Sequence, residues 1–396
     1  MRQMVGRPLL AAILMVCLTL SFFYTVFNSE SEAGEFVERV TQQPLLASEL
    51  EDLEQILTGL KPKRTNIFFL KAHKCASSTI QNILMRFGLA HALSFVLPPQ
   101  TNYLGNPQPF RADMIDEKCA TLDGKYNIFA HHTRYDTDQV RSVMFENAAF
   151  VTVLRHPADL YESIFSYYSL NTFYSISFKE LLKSPEKLKN VEARYAKKLG
   201  LNQMSFDLGL PEEDFTSTEK VGKFIKKIDT EFDLVMISEW MEASLVLLAD
   251  LMNWPLDYVM FLKINARSPE AVYKMSSEER RTVSRWNSVD HKLYTYFLNK
   301  FKQRIRDYGE ERMLRDIKKL LSLNSKLRFR CVESVNSKGF SGTQSYNLRN
   351  GSDWLCFYAA RTELEFTEDL RTFQFNSVKV INKLKHLLHQ NVTEFV

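Results

Sequence analysis

The sequence is short of the features that would commit it to nucleic acid, to a structural metal or to a repeat architecture. Its 51 basic and 47 acidic residues leave a net charge of only +4, so no overall basic field calls for a nucleic-acid partner, and only a local basic pocket for an anionic ligand stays open. Cysteines number five, and none of the four outside the N-terminal apolar run has the close paired spacing of a zinc site; no metal is expected. There is no internal repeat and no low-complexity tract, which argues against a solenoid or a disordered chain. Glycine is missing from one place where it would be diagnostic. The turn Lys74–Thr79 carries none, and its lysine comes first. A nucleotide-triphosphatase loop wants Gly-x-x-x-x-Gly-Lys-Ser/Thr, so the ATPase reading is weak.

What is present begins at the N-terminus. Leu9 to Phe27 is 19 residues without a charge, enough to cross a bilayer core as a helix. Arg2 and Arg7 precede it, and Glu30, Glu32, Glu35 and Glu38 follow. The positive-inside rule then gives a cytosolic tail (1–7), a signal anchor (8–27) and a chain beyond it in the lumen. No small-x-small site closes the run, against a cleaved signal peptide. Residues 28–62 read as a polar stem in which Leu46, Leu50, Leu53 and Leu57 form a short apolar seam. The seam suits either self-association, giving a homodimer through the stem, or docking on the main domain. On the oxidising side Cys331 and Cys356 bracket one polar loop and are the expected disulfide; Asn350 and Asn391 head glycosylation sequons.

From Thr65 short apolar runs alternate with helical stretches. Expected strands are Asn66–Leu70, Tyr126–Ala130, Phe150–Leu154, Asp233–Ile237 and Val259–Ile264. One or two long helices are expected over Glu278–Leu320, with the basic residues between Lys300 and Lys319 on a solvated face. A last amphipathic helix carries Val378, Ile381, Leu384 and Leu388. This is the pattern of an α/β protein with a central, mostly parallel sheet flanked by helices and ligands at the strand C-termini. The main domain is placed at 63–325 and a C-terminal extension packed on it at 326–396.

Two elements carry chemistry. The apolar run Ile67–Leu70 breaks into Lys74-Cys-Ala-Ser-Ser-Thr79 and then a helix (Ile80, Ile83, Leu84, Phe87), an arrangement that aims backbone N–H groups and a helix N-terminus at a phosphate. The run Phe150–Leu154 ends in Arg155-His-Pro, and Ser163 follows two helical turns later. Arginine at a strand end offers a forked donor to phosphate, and the serine adds a hydroxyl. Between them, His131 and His132 leave the strand Tyr126–Ala130 at its ligand-binding end. A histidine suits a general base, and because successive residues point to opposite sides only one should reach substrate; His132 is preferred, His131 second. His73 either helps the phosphate turn or packs. Arg134 either positions an acceptor or pairs with Asp136. Lys71 is a further anion contact, Lys263, Asn265 and Arg267 a further reach toward a nucleotide, and Trp286, Asn287 and Asp290 either a sugar platform or a packed helix face.

Lys-x-x-Ser-Ser-Thr after the first strand and Arg-x-Pro-x₅-Ser after a later one, in that order, resemble the sulfotransferase superfamily. Lys71-Ala-His-Lys-Cys-Ala-Ser-Ser-Thr, His131-His-Thr-Arg-Tyr, Phe206-Asp-Leu-Gly, Phe232-Asp-Leu-Val-Met-Ile-Ser-Glu-Trp, Ser244-Leu-Val-Leu-Leu and Trp286-Asn-x-x-Asp-x-x-Leu-Tyr are similar to the galactose-3-O-sulfotransferases, over about residues 64–310. The resemblance implies a P-loop-like sulfotransferase fold and, as donor, 3′-phosphoadenosine 5′-phosphosulfate (PAPS). Lys74, Cys75, Ala76, Ser77, Ser78 and Thr79 would hold its 5′-phosphosulfate end, and Arg155 and Ser163 its 3′-phosphate. Lys74 would also stabilise charge on the leaving oxygen. The acceptor implied is the 3-hydroxyl of a terminal β-galactose on a galactosylceramide-like glycolipid or a glycan, and the compartment is the Golgi. A sulfotransferase for another sugar position or a glycosaminoglycan is the nearer rival. A membrane-tethered binding protein that kept the nucleotide fold without turnover is the farther one. Two residues depart from the family pattern: Cys75 stands where threonine is usual, and Thr133 where a bulkier apolar residue is. A disulfide at Cys75 would distort the turn, so it is expected unpaired.

Overall fold

The computed structural model describes residues 62–264, 266–267, 271–336 and 343–393. The expected anchor and the seam Leu46–Leu57 lie outside them, as does Asn265. Among the described residues no helix is long and apolar enough to cross a membrane.

Four parallel strands make the central sheet: β1 (Ile67–Leu70), β2 (Ile128–Phe129), β3 (Ala149–Leu154) and β4 (Leu234–Ile237), in the order β2-β1-β3-β4. Every residue in them is buried, as expected where helices cover both faces of a parallel sheet and the strands read as unbroken apolar runs. Phe68 pairs in register with Phe129 on one side and Phe150 on the other, and its ring lies 5.2 Å from each of theirs. The helices that matter here are α1 (Ser77–Ala90), α2 (Pro157–Tyr167), α3 (Thr218–Glu231), α4 (Met241–Met252), α5 (Ser277–Trp286), α6 (Ser288–Tyr308), α7 (Glu310–Cys331) and α8 (Glu363–Thr393). Shorter elements are named by their residues. α1 follows β1 and buries Ile80, Ile83, Leu84 and Phe87. It lies so close to the sheet that a Cβ on Gly88 would stand 2.4 Å from Phe95 Cζ and 2.5 Å from Ile128 Cδ1.

Four of the five expected strands form. The second is trimmed to two residues, because Tyr126 bridges to Met144 instead of the sheet. The fifth, Val259–Ile264, does not form. A short turn of helix covers Leu256–Val259, and side chains then meet the backbone: Phe261 N donates to Asn324 Oδ1 (2.9 Å), while Met260 O accepts from Arg86 (2.6 Å) and Lys263 O from Tyr346 (2.7 Å). An apolar run signals burial, and burial here is between α1 and α7 with no ladder to join.

Glu278–Leu320 holds parts of three helices, α5, α6 and α7. They break at Asn287 and at Gly309, whose φ of 93° favours glycine. The basic residues from Lys300 to Lys319 are exposed, as a solvated face requires. α7 runs through residue 325. Cys331 and Cys356 form the expected disulfide, while Cys75 and Cys119 are not bridged. The final helix starts at Glu363; among its described side chains the buried ones are Phe366, Thr367, Leu370 and Gln374, Val378 is half-buried, and Ile381, Leu384 and Leu388 lie outside the described ones. Gln374 brackets the backbone of Phe95 (N 2.7 Å, O 2.9 Å), and its Nε2 also donates to Cys119 O at 2.6 Å.

Candidate active site

The turn between β1 and α1 is made without glycine, yet Lys74 (φ 55°) and Ala76 (φ 59°) both take the left-handed conformation that glycine usually supplies. Such a pair costs of order 1–3 kcal/mol per residue and persists where its surroundings hold it. Three contacts do so: Ser77 Oγ donates to Ala72 O (2.7 Å), Arg155 Nη1 donates to Lys74 O (2.9 Å), and the Cys75 thiol reaches His73 O (3.4 Å). The Cys75 side chain is fully buried in the core, away from the cleft, and burial pushes its thiol well above the ordinary value. A small side chain is all this position admits, and only its backbone stays with the turn. No side chain caps the N-terminus of α1.

That N-terminus opens on a cleft of about 500 Å³ at the C-terminal ends of the strands. The cleft brings together Lys74, Ala76, Ser77, Ser78, Thr79, Arg155 and Ser163, with Lys71, His132, Lys263 and Arg267. Lys74 Nζ sits 3.1 Å from the centre of the Tyr167 ring and has no carboxylate at ion-pair distance among the described residues. Burial first, then Arg155, Arg267 and Lys71, lower its pKa to about 7. Arg267, a residue weakly signalled by the sequence, is buried and fixed by Glu162, at 3.0 and 2.5 Å from its two carboxylate oxygens. Glu162 lies on α2 beside Ser163, so the ion pair ties the post-α4 connection to the Arg155–Ser163 element. Arg155 itself is placed by β3, and α2 starts two residues later with Pro157 in its first turn.

The two neighbouring histidines part as strand alternation requires. His132 lines the cleft. Its Nδ1 lies 3.0 Å from Lys71 O and its Nε2 2.8 Å from Lys71 Nζ. Burial, and next Lys71, hold it well below the usual histidine value, so the ring is neutral. His131 is buried on the other side, with Nε2 3.0 Å from Thr367 Oγ1, and burial lowers it to about 4. Lys71 is buried and bonded to Glu363 (2.7 Å).

Other candidates resolve as framework. His73 forms a buried pair with Asp207 (2.8 Å), reaches the Tyr103 hydroxyl (3.1 Å) and stacks on His132 at 4.4 Å. Arg134 donates to the carbonyls of Phe206, Pro107 and Leu210 and lies on the Phe206 ring; Asp136 instead caps the helix Thr137–Val143. Asn287 and Asp290 bond the segment 202–205, with Asp290 taking the N–H groups of Met204 and Ser205. Burial raises Asp290 to about 6. They pack a helix; they do not line the cleft. Sequence reasoning missed Asp207, although it sits inside a motif singled out above, and missed Glu363, for which no local signal exists.

The galactose-3-O-sulfotransferase family profile matches residues 2–349. Galactosylceramide sulfotransferase of Bos taurus is 36% identical over 281 residues, which are 69% of this chain and 66%, just under two thirds, of that protein. The Mus musculus galactosylceramide sulfotransferase is 30% identical over 338 residues, 79% of each chain. Galactose-3-O-sulfotransferase 2 of Sus scrofa is 32% identical over 339 residues, 79% of this chain and 85% of that one. With the match running through Lys74–Thr79, the histidine pair and Arg155–Ser163, this chain belongs to the galactose-3-O-sulfotransferase family.

Proposed function

We propose that this protein is a Golgi sulfotransferase that moves a sulfuryl group from PAPS to the 3-hydroxyl of a terminal β-galactose, on a galactosylceramide-like glycolipid or a galactose-ended glycan. The observation that carries the reading is the cleft at the uncapped N-terminus of α1. There Lys74, Arg155 and Arg267 converge, and Lys74 rests on an aromatic ring with no carboxylate partner among the described residues. Cations desolvated together in this way are stabilised by a multiply charged anion. The names of the relatives, galactosylceramide sulfotransferase and galactose-3-O-sulfotransferase 2, supply the acceptor sugar.

The division of labour is the one the family resemblance implies, and the cleft lining is compatible with it. Lys74 and the turn residues 75–79 would hold the phosphosulfate end, and Arg155 with Ser163 the 3′-phosphate. An acceptor hydroxyl then attacks sulfur in line, and the departing bridging oxygen gathers charge beside Lys74. The hydroxyl proton goes to His132 Nε2, whose single lone pair becomes free for it when the acceptor hydroxyl takes the place of the Lys71 ammonium there. Leu9–Phe27 would tether the protein in the Golgi membrane.

The test is transfer of radiolabelled sulfate from PAPS to galactosylceramide, lactosylceramide, β-galactose-ended disaccharides and a uronic-acid polymer, with linkage analysis of the product. Transfer to the 3-hydroxyl of one or more galactosides is expected, and Arg155→Ala should weaken nucleotide binding. Nucleotide binding without transfer to any galactoside would refute the assignment.

A further inference from the structure

The C-terminal helix α8 lies beyond the residues matched by the family; it contacts His131 directly and His132 through Lys71. Thr367 Oγ1 donates to Glu363 O (2.7 Å) and therefore accepts from His131 Nε2–H. One turn earlier Glu363 Oε2 accepts from Lys71 Nζ, and the same ammonium donates to His132 Nε2. An ammonium has only donors, so Nε2 must be the acceptor and the His132 proton must be on Nδ1, where it is donated to Lys71 O. Lys71 O can only accept, so it fixes the proton on Nδ1 whatever the charge of Lys71, and the Lys71 side chain holds the Nε2 edge of the ring.

Lys71 is 1% exposed, and burial by itself drives a lysine toward the neutral amine. Glu363 is the carboxylate that opposes this. It stands in the first turn of a 31-residue helix, where the helix N-terminus favours negative charge. It is also part of the cleft wall. Asn102, another residue of the cleft wall, also hydrogen-bonds this carboxyl group and favours its charged form.

We propose that Glu363 is a positioning residue of the site: it holds the Lys71 ammonium beside His132 Nε2 and so orients the ring whose Nδ1 proton Lys71 O fixes. Sulfate transfer then requires a residue contributed by a segment outside the family match. The kinetic part of this inference rests on the sulfotransferase reading; the structural part does not.

Two readouts keep the two apart. In protein labelled with ¹⁵N-histidine, NMR should show His132 protonated at Nδ1, with Nε2 shifted by the ammonium it accepts from. In Glu363→Gln, Lys71 loses its counter-charge and the Nε2 resonance should move toward that of an unbonded ring nitrogen. Sulfate transfer should fall at least tenfold in kcat, with affinity for adenosine 3′,5′-bisphosphate within twofold of wild type. Glu365→Gln, an exposed neighbour on the same helix paired with Arg361, should change neither. An unmoved Nε2 resonance overturns the proposal, and so does kcat within twofold of wild type. Should Glu363→Gln melt early, Glu363→Asp takes its place: with the charge kept, its Nε2 resonance should stay near wild type, and a displaced one overturns the proposal. A wild-type protein that transfers no sulfate would sink the functional reading while leaving the NMR result to decide this one.

Discussion

Binding of the nucleotide should take up a proton, and Lys74 is the group that takes it. In the free protein its pKa is lowered to about 7, by burial and then by Arg155, Arg267 and Lys71. An anion set against it restores the charged form. At pH 8 a lysine with a pKa of about 7 is roughly nine-tenths neutral, so binding should take up about 0.9 proton per nucleotide, and Kd should be about fivefold weaker at pH 8 than at pH 7. Calorimetric titration with adenosine 3′,5′-bisphosphate in two buffers of different ionisation enthalpy measures the uptake directly. Lys74→Met should abolish it and flatten the pH dependence along with weakening affinity. The same lysine sets a stability test of opposite sign. Its folded pKa lies below the ordinary 10.5, so between those values the unfolded chain binds more protons. The penalty is full below about pH 7 and gone above pH 10.5. Lys74→Met should therefore be more stable than wild type at pH 6.5, by of order 1 kcal/mol or more, and the advantage should fade as pH rises. Zero proton uptake by wild type at pH 8, or the same uptake in Lys74→Met, would refute the reasoning.

Three further outcomes are expected. His132→Ala should lower kcat by about a hundredfold or more, within the range for losing a general base, with nucleotide affinity nearly intact by calorimetry; the same pattern from His131→Ala alone would reverse the order of the pair. Gly88→Ala forces a Cβ into Phe95 and Ile128 and should cost roughly 1–3 kcal/mol in urea unfolding, an unchanged midpoint being the contrary result. Cys356→Ser opens a loop with a sequence separation of 25 and should cost about 3 kcal/mol, read as a lower melting temperature that reductant reproduces in wild type.

The strand–turn–helix around Lys74 was legible because its signals are local: a short apolar run, a polar break, then apolar residues at helical spacing. The same holds for β3 and α2, where Arg155 and Ser163 are set by eight residues of chain. Reading failed where the deciding contact is distant. Val259–Ile264 has the composition of a buried strand, and only Arg86, Asn324 and Tyr346, each far along the chain, turn it into a connection. The left-handed backbone at Lys74 and Ala76 left no mark either, because neither residue type signals positive φ. Asp207 stood in a conspicuous motif, but nothing local pairs it with His73. Glu363 reads as one more acidic residue at a helix start, an N-terminal preference that explains it fully until Lys71 is beside it.

Lys71 and Glu363 are separated by 292 positions, and Gln374 meets Phe95 across 279. During synthesis from the N-terminus, at about 5–20 residues per second, the last strand of the sheet, ending at Ile237, is made roughly 6–25 seconds before the carboxylate that Lys71 needs. A nascent chain stopped anywhere before α8 holds a buried Lys71 with no Glu363 beside it. If the proposed function and the role of Glu363 hold, sulfate transfer should begin only once α8 has been made, and loss of α8 by premature termination or proteolysis should remove activity while nucleotide binding stays.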